Sequence, residues 1–255
     1  MPSWNPKQYL KFAEERSRPC RDLAARVEVA APGRIIDLGC GPGNSAEVLS
    51  ARWPNAAITG LDSSAAMIEA ARAAAPQCEW RTGDIAEWAA GEDRFDVVFS
   101  NAALQWVGDH AAVFPQLLAR VAEGGALAVQ VPGNYQEAQH QLMRKVARGF
   151  RLQVREWHTH GLDFYYDALA PHAARLDLWA TEYLHVLPNI EGIVEWYKGT
   201  GMRPYLDALA SEGERERFLA EYLEGLRGIY APSADGAVLF SFRRIFMVAY
   251  PGAGK

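Results

Sequence analysis

The chain has 255 residues, 49% hydrophobic and 22% charged, enough to bury a sizeable core in one large α/β domain with insertions. Its net charge of −5, without any Lys/Arg run, excludes a surface that tracks a phosphate backbone, so no nucleic acid is expected as a partner. No apolar run reaches the length of a membrane span, residues 1–7 lack an apolar signal core, and Cys20, Cys40 and Cys78 form no C-x-x-C pair, so the expectation is a cytoplasmic protein in a reducing compartment, with no membrane, disulfide framework or zinc site.

Residues 6–29 predict two helices broken at Arg16-Ser17-Arg18-Pro19, because proline biases its predecessor out of the α region and suits a first helical turn. From 34 to 132, short β-branched or apolar runs alternate with Ala-rich stretches, the pattern of a parallel sheet with crossover helices. Strands are expected at 34–38, 57–61, 78–82, 95–100 and 126–131, with helices at 45–53, 63–75 and 111–121. Pro54 and Pro76 stop the first two of those helices, and Glu123-Gly124-Gly125-Ala126 reads as a turn ahead of the fifth strand. Further on, 136–150, 165–173 and 189–226 read as helical, and 179–187 and 237–250 as strands, the last able to close the sheet as an antiparallel hairpin with the sixth. The expected fold class is α/β: a doubly wound, mostly parallel seven-stranded sheet in a single domain, 1–255. Within it lie an N-terminal helical cap (1–29), a ligand-binding core (30–132), capping helical insertions (133–178 and 189–232) and sheet-closing strands (179–188 and 236–251).

The strongest local signal is Asp37-Leu38-Gly39-Cys40-Gly41-Pro42-Gly43, directly after the first strand and before a helix. Glycines there let the backbone turn sharply and approach a ligand where a Cβ would collide, and open parallel sheets bind ligands beyond their strand C-termini. A generic tight β-to-α turn is the alternative. Asp62 ends the second strand, where a carboxylate can accept hydrogen bonds from both ribose hydroxyls of a nucleotide-like ligand, or cap the next helix, a role that Ser63 or Ser64 could equally fill. Asp84 ends the third strand and can accept from an adenine amine with Ile85 beside the ring; otherwise it is a surface turn aspartate. A glycine loop and a distal acid also describe dinucleotide enzymes, but the chain has no Tyr-x-x-x-Lys pair of the kind short-chain dehydrogenases use. The fourth strand leads into Asn101-Ala102-Ala103-Leu104-Gln105-Trp106, and Trp106 could wall the same cavity or be plain core.

Together, residues 37–43, Asp62, Asp84 and residues 95–101 resemble the successive cofactor motifs of class I, Rossmann-like methyltransferases, a resemblance covering about 30–132. It implies S-adenosyl-L-methionine as cofactor, with S-adenosyl-L-homocysteine as product and no metal. The implied cofactor-binding residues are Asp37, Gly39, Gly41, Asp62, Ser63, Met67, Asp84, Ile85 and Asn101, with Arg16 and Arg18 reaching in from the N-terminal bend. A narrower resemblance spans nearly the whole chain and points to the trans-aconitate methyltransferase family. It is carried by Trp4-Asn5-Pro6, Tyr9-Leu10, Glu15-Arg16-Ser17-Arg18-Pro19, Phe164-Tyr165-Tyr166-Asp167, Thr200-Gly201-Met202-Arg203-Pro204-Tyr205-Leu206 and residues 242–249. That family implies esterification of one carboxylate of a tricarboxylic acid, hence a small-molecule polycarboxylate partner.

A carboxylate is already a nucleophile and a sulfonium methyl already an electrophile, so no general base is needed, and Asn101 and Trp106 would act by positioning. The remaining carboxylates need paired cations, for which arginine offers a two-pronged match. Arg203, fixed in a local bend by Gly201, Pro204 and Tyr205, is the first candidate, with a solvent-facing or ion-paired arginine as the alternative. Tyr205 could add a donor, Tyr9 and Trp196 could wall the cavity, and Arg16, Arg18 or Arg244 could take the carboxylate role instead. A methyltransferase for another small metabolite, a cofactor-binding interaction module and a nicotinamide oxidoreductase stay open as alternatives, as do the esterified carboxylate and the oligomeric state.

Overall fold

The computed structural model describes residues 13–154 and 157–252. Its first helix, α1 (Ala13–Arg26), runs through Pro19, where the sequence predicts a break. Pro19, Cys20, Leu23, Ala24 and Val27 are buried at helical spacing. Burying each larger apolar side chain stabilises by about 1.5–3 kcal/mol. Together they outweigh the roughly 3 kcal/mol that an interior proline costs. The helix expected before it, and Tyr9 with it, lie outside the described residues.

The first strands form where the apolar runs predict them: β1 (Arg34–Leu38), β2 (Ala57–Asp62), β3 (Glu79–Thr82) and β4 (Phe95–Asn101). Between them lie α2 (Asn44–Arg52), α3 (Ala65–Ala74) and a short helix that sequence periodicity does not reveal, α4 (Ile85–Ala89). After α5 (His110–Ala119), strand β5 (Val121–Pro132) starts earlier than expected and takes in the predicted Gly124-Gly125 turn. A bulge replaces that turn: Gly124 has φ +74°, and a Cβ on Gly125 would lie 2.2 Å from the Asp96 carbonyl oxygen, so glycine lets the strand irregularity form against β4.

The expected doubly wound, seven-stranded sheet is present, in the order β3-β2-β1-β4-β5-β7-β6. Strands β1 to β5 pair parallel, whereas β7 (Val238–Pro251) lies antiparallel between β5 and β6 (Ala173–Leu187). Strand order reverses between β1 and β4, which makes their C-terminal ends the crevice where such sheets take ligands.

The chain divides into two compact units. Among the described residues, the core unit comprises 13–133, 157–181 and 244–252; the second comprises 134–154 and 182–243. Helix α1 therefore belongs to the core rather than to an N-terminal cap. So does α7 (Leu162–Leu169), expected within an insertion, because its Tyr165 and Leu169 join the apolar cluster that includes Phe114 and Leu117. The second unit contains α6 (Ala138–Gly149), α8 (Glu191–Lys198), α9 (Arg203–Ala208), α10 (Glu212–Arg227) and the adjoining ends of β6 and β7. Its apolar cluster includes Met143, Trp196, Phe218, Tyr222 and Phe240. A Cβ on Gly225 would lie 2.5 Å from Leu142 Cδ1, so glycine lets α10 approach α6.

The single helical stretch predicted over 189–226 is three helices. Pro204 starts α9 at its first turn, while Ser211 caps α10 by accepting from the Glu214 N–H at 3.2 Å. Among the described residues, no helix is long and apolar enough to cross a membrane.

Candidate active site

The loop after β1 is tied to the second strand. Gly39 and Cys40 both donate their N–H to the Leu61 carbonyl, at 2.7 and 3.1 Å. Gly41 N–H donates to Asp62 Oδ2 at 2.9 Å, and Ser64 N–H donates to Asp62 Oδ1, also at 2.9 Å. Asp62 thus clamps the loop to the start of α3, while Ser64 rather than Ser63 caps that helix. Each carboxylate oxygen retains further accepting capacity. Gly39 is required by packing and by φ +71°, since a Cβ there would lie 2.1 Å from Ala103 Cβ. Gly41 has φ +54°, and among the described residues an added Cβ would meet nothing within 4 Å, which leaves this face of the loop open to a ligand as far as those residues go.

Beneath it, Asp37 is fully buried. Burial, and then repulsion from the Asp62 carboxylate, push Asp37 up to about 7, with a Ser45 hydroxyl pulling in the other direction. Burial raises Asp62 as well, against the pull of its two backbone N–H bonds. Cys40, inside the loop, is pushed well above the usual thiol range by burial and by the negative charges of Asp37 and Asp62. An open glycine turn lined by two carboxylates under pressure to meet positive charge fits a cationic ligand bearing a diol.

The other expected cofactor residues lie on the neighbouring strand and helix ends. Asp84 is exposed and caps α4 with one oxygen, Oδ1 accepting from Ala86 N–H at 2.7 Å and Glu87 N–H at 3.2 Å. Oδ1 thus caps the helix, a role the sequence reading did not assign to Asp84. Ile85 is buried beside Gly39, Met67 is buried in α3, and Ser63 is exposed. Arg18 is exposed on α1; the Arg16 side chain lies outside the described residues.

At the end of β4, Asn101 is half-buried, and among the described residues its Oδ1 has no hydrogen-bond partner. The next residue, Ala102, has φ +57°, a strained conformation for a residue with a Cβ. It is held by Ala102 N–H donating to the Gln130 carbonyl at 2.9 Å and by Gln105 Nε2 donating to the Ala102 carbonyl at 2.7 Å. This kink delivers Ala103 against Gly39. Trp106 follows in a 3-10 turn and packs edge-on against Trp157, ring centres 5.8 Å apart. Below it His110 is buried, with Nε2–H donating to the Leu104 carbonyl at 2.9 Å and Nδ1 accepting from the Tyr165 hydroxyl at 3.0 Å. Burial pushes His110 down to about 4, so it supports the kinked segment as a neutral imidazole.

The expected acceptor-side residues of the second unit have defined places within that unit. Trp196 is buried among His185, Phe240 and Phe242, Tyr205 is buried against Phe218, and Arg203 pairs with Asp207 one turn along α9, Nε to Oδ1 3.4 Å. The structure thus gathers Asp37, Gly39, Gly41, Asp62, Asp84, Ile85 and Asn101 at the strand ends of the core unit. Sequence reasoning passed over Gln130, whose signal was a lone amide within the apolar run Ala126-Leu127-Ala128-Val129-Gln130-Val131. Among the described residues, no group of three or more His, Cys, Asp or Glu could hold a metal ion.

Comparison with known proteins gives the family and the fold. Residues 35–125 match the family described as a methyltransferase domain. The sequence is 47% identical over 253 residues to the trans-aconitate 2-methyltransferase of Azoarcus sp. (strain BH72), covering 98% of this chain and 99% of that one. It is 47% identical over 257 residues to the trans-aconitate 2-methyltransferase of Rhodopseudomonas palustris (strain BisB5), covering 98% and 99%. In fold it is similar to the crystal structure of the YcgJ protein from Bacillus subtilis, with TM-score 0.63 and 14% identity, covering 93% of this chain and 100% of that one.

Proposed function

Because the chain belongs to the trans-aconitate 2-methyltransferase family, we propose that it transfers the methyl group of S-adenosylmethionine to one carboxylate of trans-aconitate, giving a monomethyl ester and S-adenosylhomocysteine. Identity of 47% across nearly the full length of both chains carries this reading. The open, carboxylate-lined glycine loop supports it.

When bound, the cofactor supplies a methyl group on a positively charged sulfur. In the proposed assignment, the residues of the chain bind, orient and shield. Asp37 and the Gly39–Gly41 turn receive the charged amino-acid end, where a cation relieves the repulsion that raises Asp37. Asp62 offers its remaining lone pairs to the ribose hydroxyls, and Asp84 Oδ2 accepts from the adenine amine with Ile85 against the ring. Ser63 and Met67 flank that end, with Arg18 reaching it from α1. Asn101 and Trp106 orient the acceptor carboxylate, which needs no general base because it is ionised at neutral pH. Holding nucleophile and electrophile in line contributes up to roughly 7–11 kcal/mol. In this assignment the Trp106–Trp157 pair supplies apolar surface that excludes water, which strengthens the electrostatics.

A cytoplasmic setting and a small-molecule acceptor, with no nucleic acid, belong to the same proposal, supported by the free thiols of Cys20, Cys40 and Cys78 and by the net charge of −5. Incubation with methyl-labelled S-adenosylmethionine and a panel of mono-, di- and tricarboxylates tests it. Base-labile label on trans-aconitate is expected; label on no carboxylate, or on carbon or nitrogen acceptors alone, overturns the reading.

A further inference from the structure

Across the C-terminal ends of β4 and β5 and the facing middle of the antiparallel β7 runs a row of polar side chains on one face of the sheet. Asn101 stands opposite Gln130, Gln130 opposite Phe246, and Pro132 opposite Arg244. Residues directly opposite share a face, and so do residues two apart along a strand, so Asn101, Gln130 and Arg244 all point to the same side. Asp37 joins them through its pairing with Phe99. The row therefore begins with a carboxylate on β1 and ends with a guanidinium on β7, three strands across and four residues further along the sheet.

The far end of this row is costly to bury. Gln130 is fully buried and Arg244 is 5% exposed. Arg244 Nη1 donates to Gln130 Oε1 at 3.3 Å. Because arginine only donates, that contact fixes the amide orientation: the oxygen faces Arg244 and the amino group faces away. Among the described residues, Gln130 Nε2 then has no hydrogen-bond partner. A buried amide donor left unpaired destabilises the fold unless something else meets it. The adjoining Asn101 Oδ1 is likewise unpartnered.

We propose that Gln130 Nε2 and the Arg244 guanidinium form the receiver for a substrate carboxylate that is not methylated. This rests on the functional reading above and deepens it: a polycarboxylate acceptor must neutralise its spectator carboxylates while one of them meets the methyl group. The row separates the two tasks, with the acid at β1 toward the positively charged cofactor and the cation at β7 toward the anionic acceptor. An anion at Gln130 and Arg244 satisfies the orphaned amide hydrogen and adds a charge-assisted bond in a buried place. Acceptors with a second carboxylate within reach of this pair are favoured over monocarboxylates.

The full-length chain tests the proposal through steady-state methyl transfer to trans-aconitate and to mono- and dicarboxylates of the same chain length, alongside calorimetry with S-adenosylhomocysteine. Gln130→Leu and Arg244→Lys are expected to raise KM for trans-aconitate by roughly 30-fold or more. Product affinity should stay within about twofold, the change expected when no direct cofactor contact is lost. The penalty should shrink for acceptors that lack the spectator carboxylate. Gln130→Glu keeps the shape, gives Arg244 an internal ion pair and places a negative charge where the substrate's would go; it should retain its melting temperature yet lose trans-aconitate turnover. Equal penalties on all acceptors, a matching loss of product affinity, or unchanged KM overturns the proposal while leaving the methyltransferase reading intact. An unmodified chain that methylates no polycarboxylate overturns both.

Discussion

Gly39 and Ala103 come from opposite sides of the sheet's switch point and are so close that a Cβ on the glycine would lie 2.1 Å from the alanine's. The cofactor loop and the kinked end of β4 are thus one packed unit. Gly39→Ala meets both this clash and φ +71°, and is expected to weaken S-adenosylhomocysteine binding at least tenfold and to destabilise the protein by about 1–3 kcal/mol. Ala103→Gly in the same chain should recover part of the loss, leaving only the backbone strain. Calorimetry and thermal melts of the single and double variants measure both; failure of the second substitution to help would show that backbone conformation alone is at stake.

Asp62 binds two backbone N–H groups, so its replacement acts on the free protein as well as on the complex. Asp62→Ala leaves Gly41 and Ser64 without their acceptor and should cost roughly 1–3 kcal/mol in stability, with a further loss in cofactor affinity. Asp62→Asn, which presents a donor to one of those N–H groups, should do no better. Loss of affinity without loss of stability would show that the clamp is dispensable.

Asp37, held up near 7, is partly protonated in the free protein at neutral pH. The groups around it include the Asp62 carboxylate, the Ser45 hydroxyl and the Cys20 and Cys40 thiols, and none of these supplies positive charge. A cationic cofactor favours the ionised form, and binding should release a fraction of a proton. Affinity is then expected to rise from about pH 6 to pH 8, and apparent binding enthalpies should differ between buffers of different ionisation heat. Asp37→Asn should abolish both effects; a pH-independent affinity in the parent protein would refute the linkage.

His110 gives the opposite pH sign in folding. Its value falls from 6.5 to about 4, so between these limits the unfolded chain binds the extra proton, and stability is lost as pH drops from about 6.5 toward 4. Asp37 is raised from 3.8 to about 7, so there the folded chain binds the extra proton and stability falls as pH rises through that range. His110→Gln should therefore flatten the acid slope of stability by about 1.4 kcal/mol per pH unit near pH 5, and Asp37→Asn should steepen it by a similar amount. Urea melts at pH 4.5 to 7 read both changes, and parallel slopes in all three proteins would exclude the assignment.

Much of the cofactor side was legible in the sequence because its signals are local. A strand, a glycine turn and a helix follow one another within residues 34–52, and Asp62 and Asp84 sit where strands stop. What escaped depends on tertiary contact. Proline suggested a break at Pro19 that the burial of α1 overrides; the Gly124-Gly125 pair looked like a turn until Asp96 showed what it makes room for; and Gln130 drew no attention until Arg244 was brought beside it from the far end of the chain. The single helical run over 189–226 failed for another reason: its periodicity persists across two turns, while the residues that break it, Pro204 and Ser211, are themselves good helix starters.

The thiol of Cys40 lies in the loop proposed to hold an alkylating cofactor, with Sγ near the Gly41 carbonyl at 3.7 Å. Sulfur attacks as thiolate, and burial together with the negative charges of Asp37 and Asp62 keeps this one protonated. The carboxylates that would draw in the cation thus also disarm the nearest soft nucleophile. A loop built this way resists methylating itself, and the enzyme can hold its reagent between turnovers without being inactivated by it.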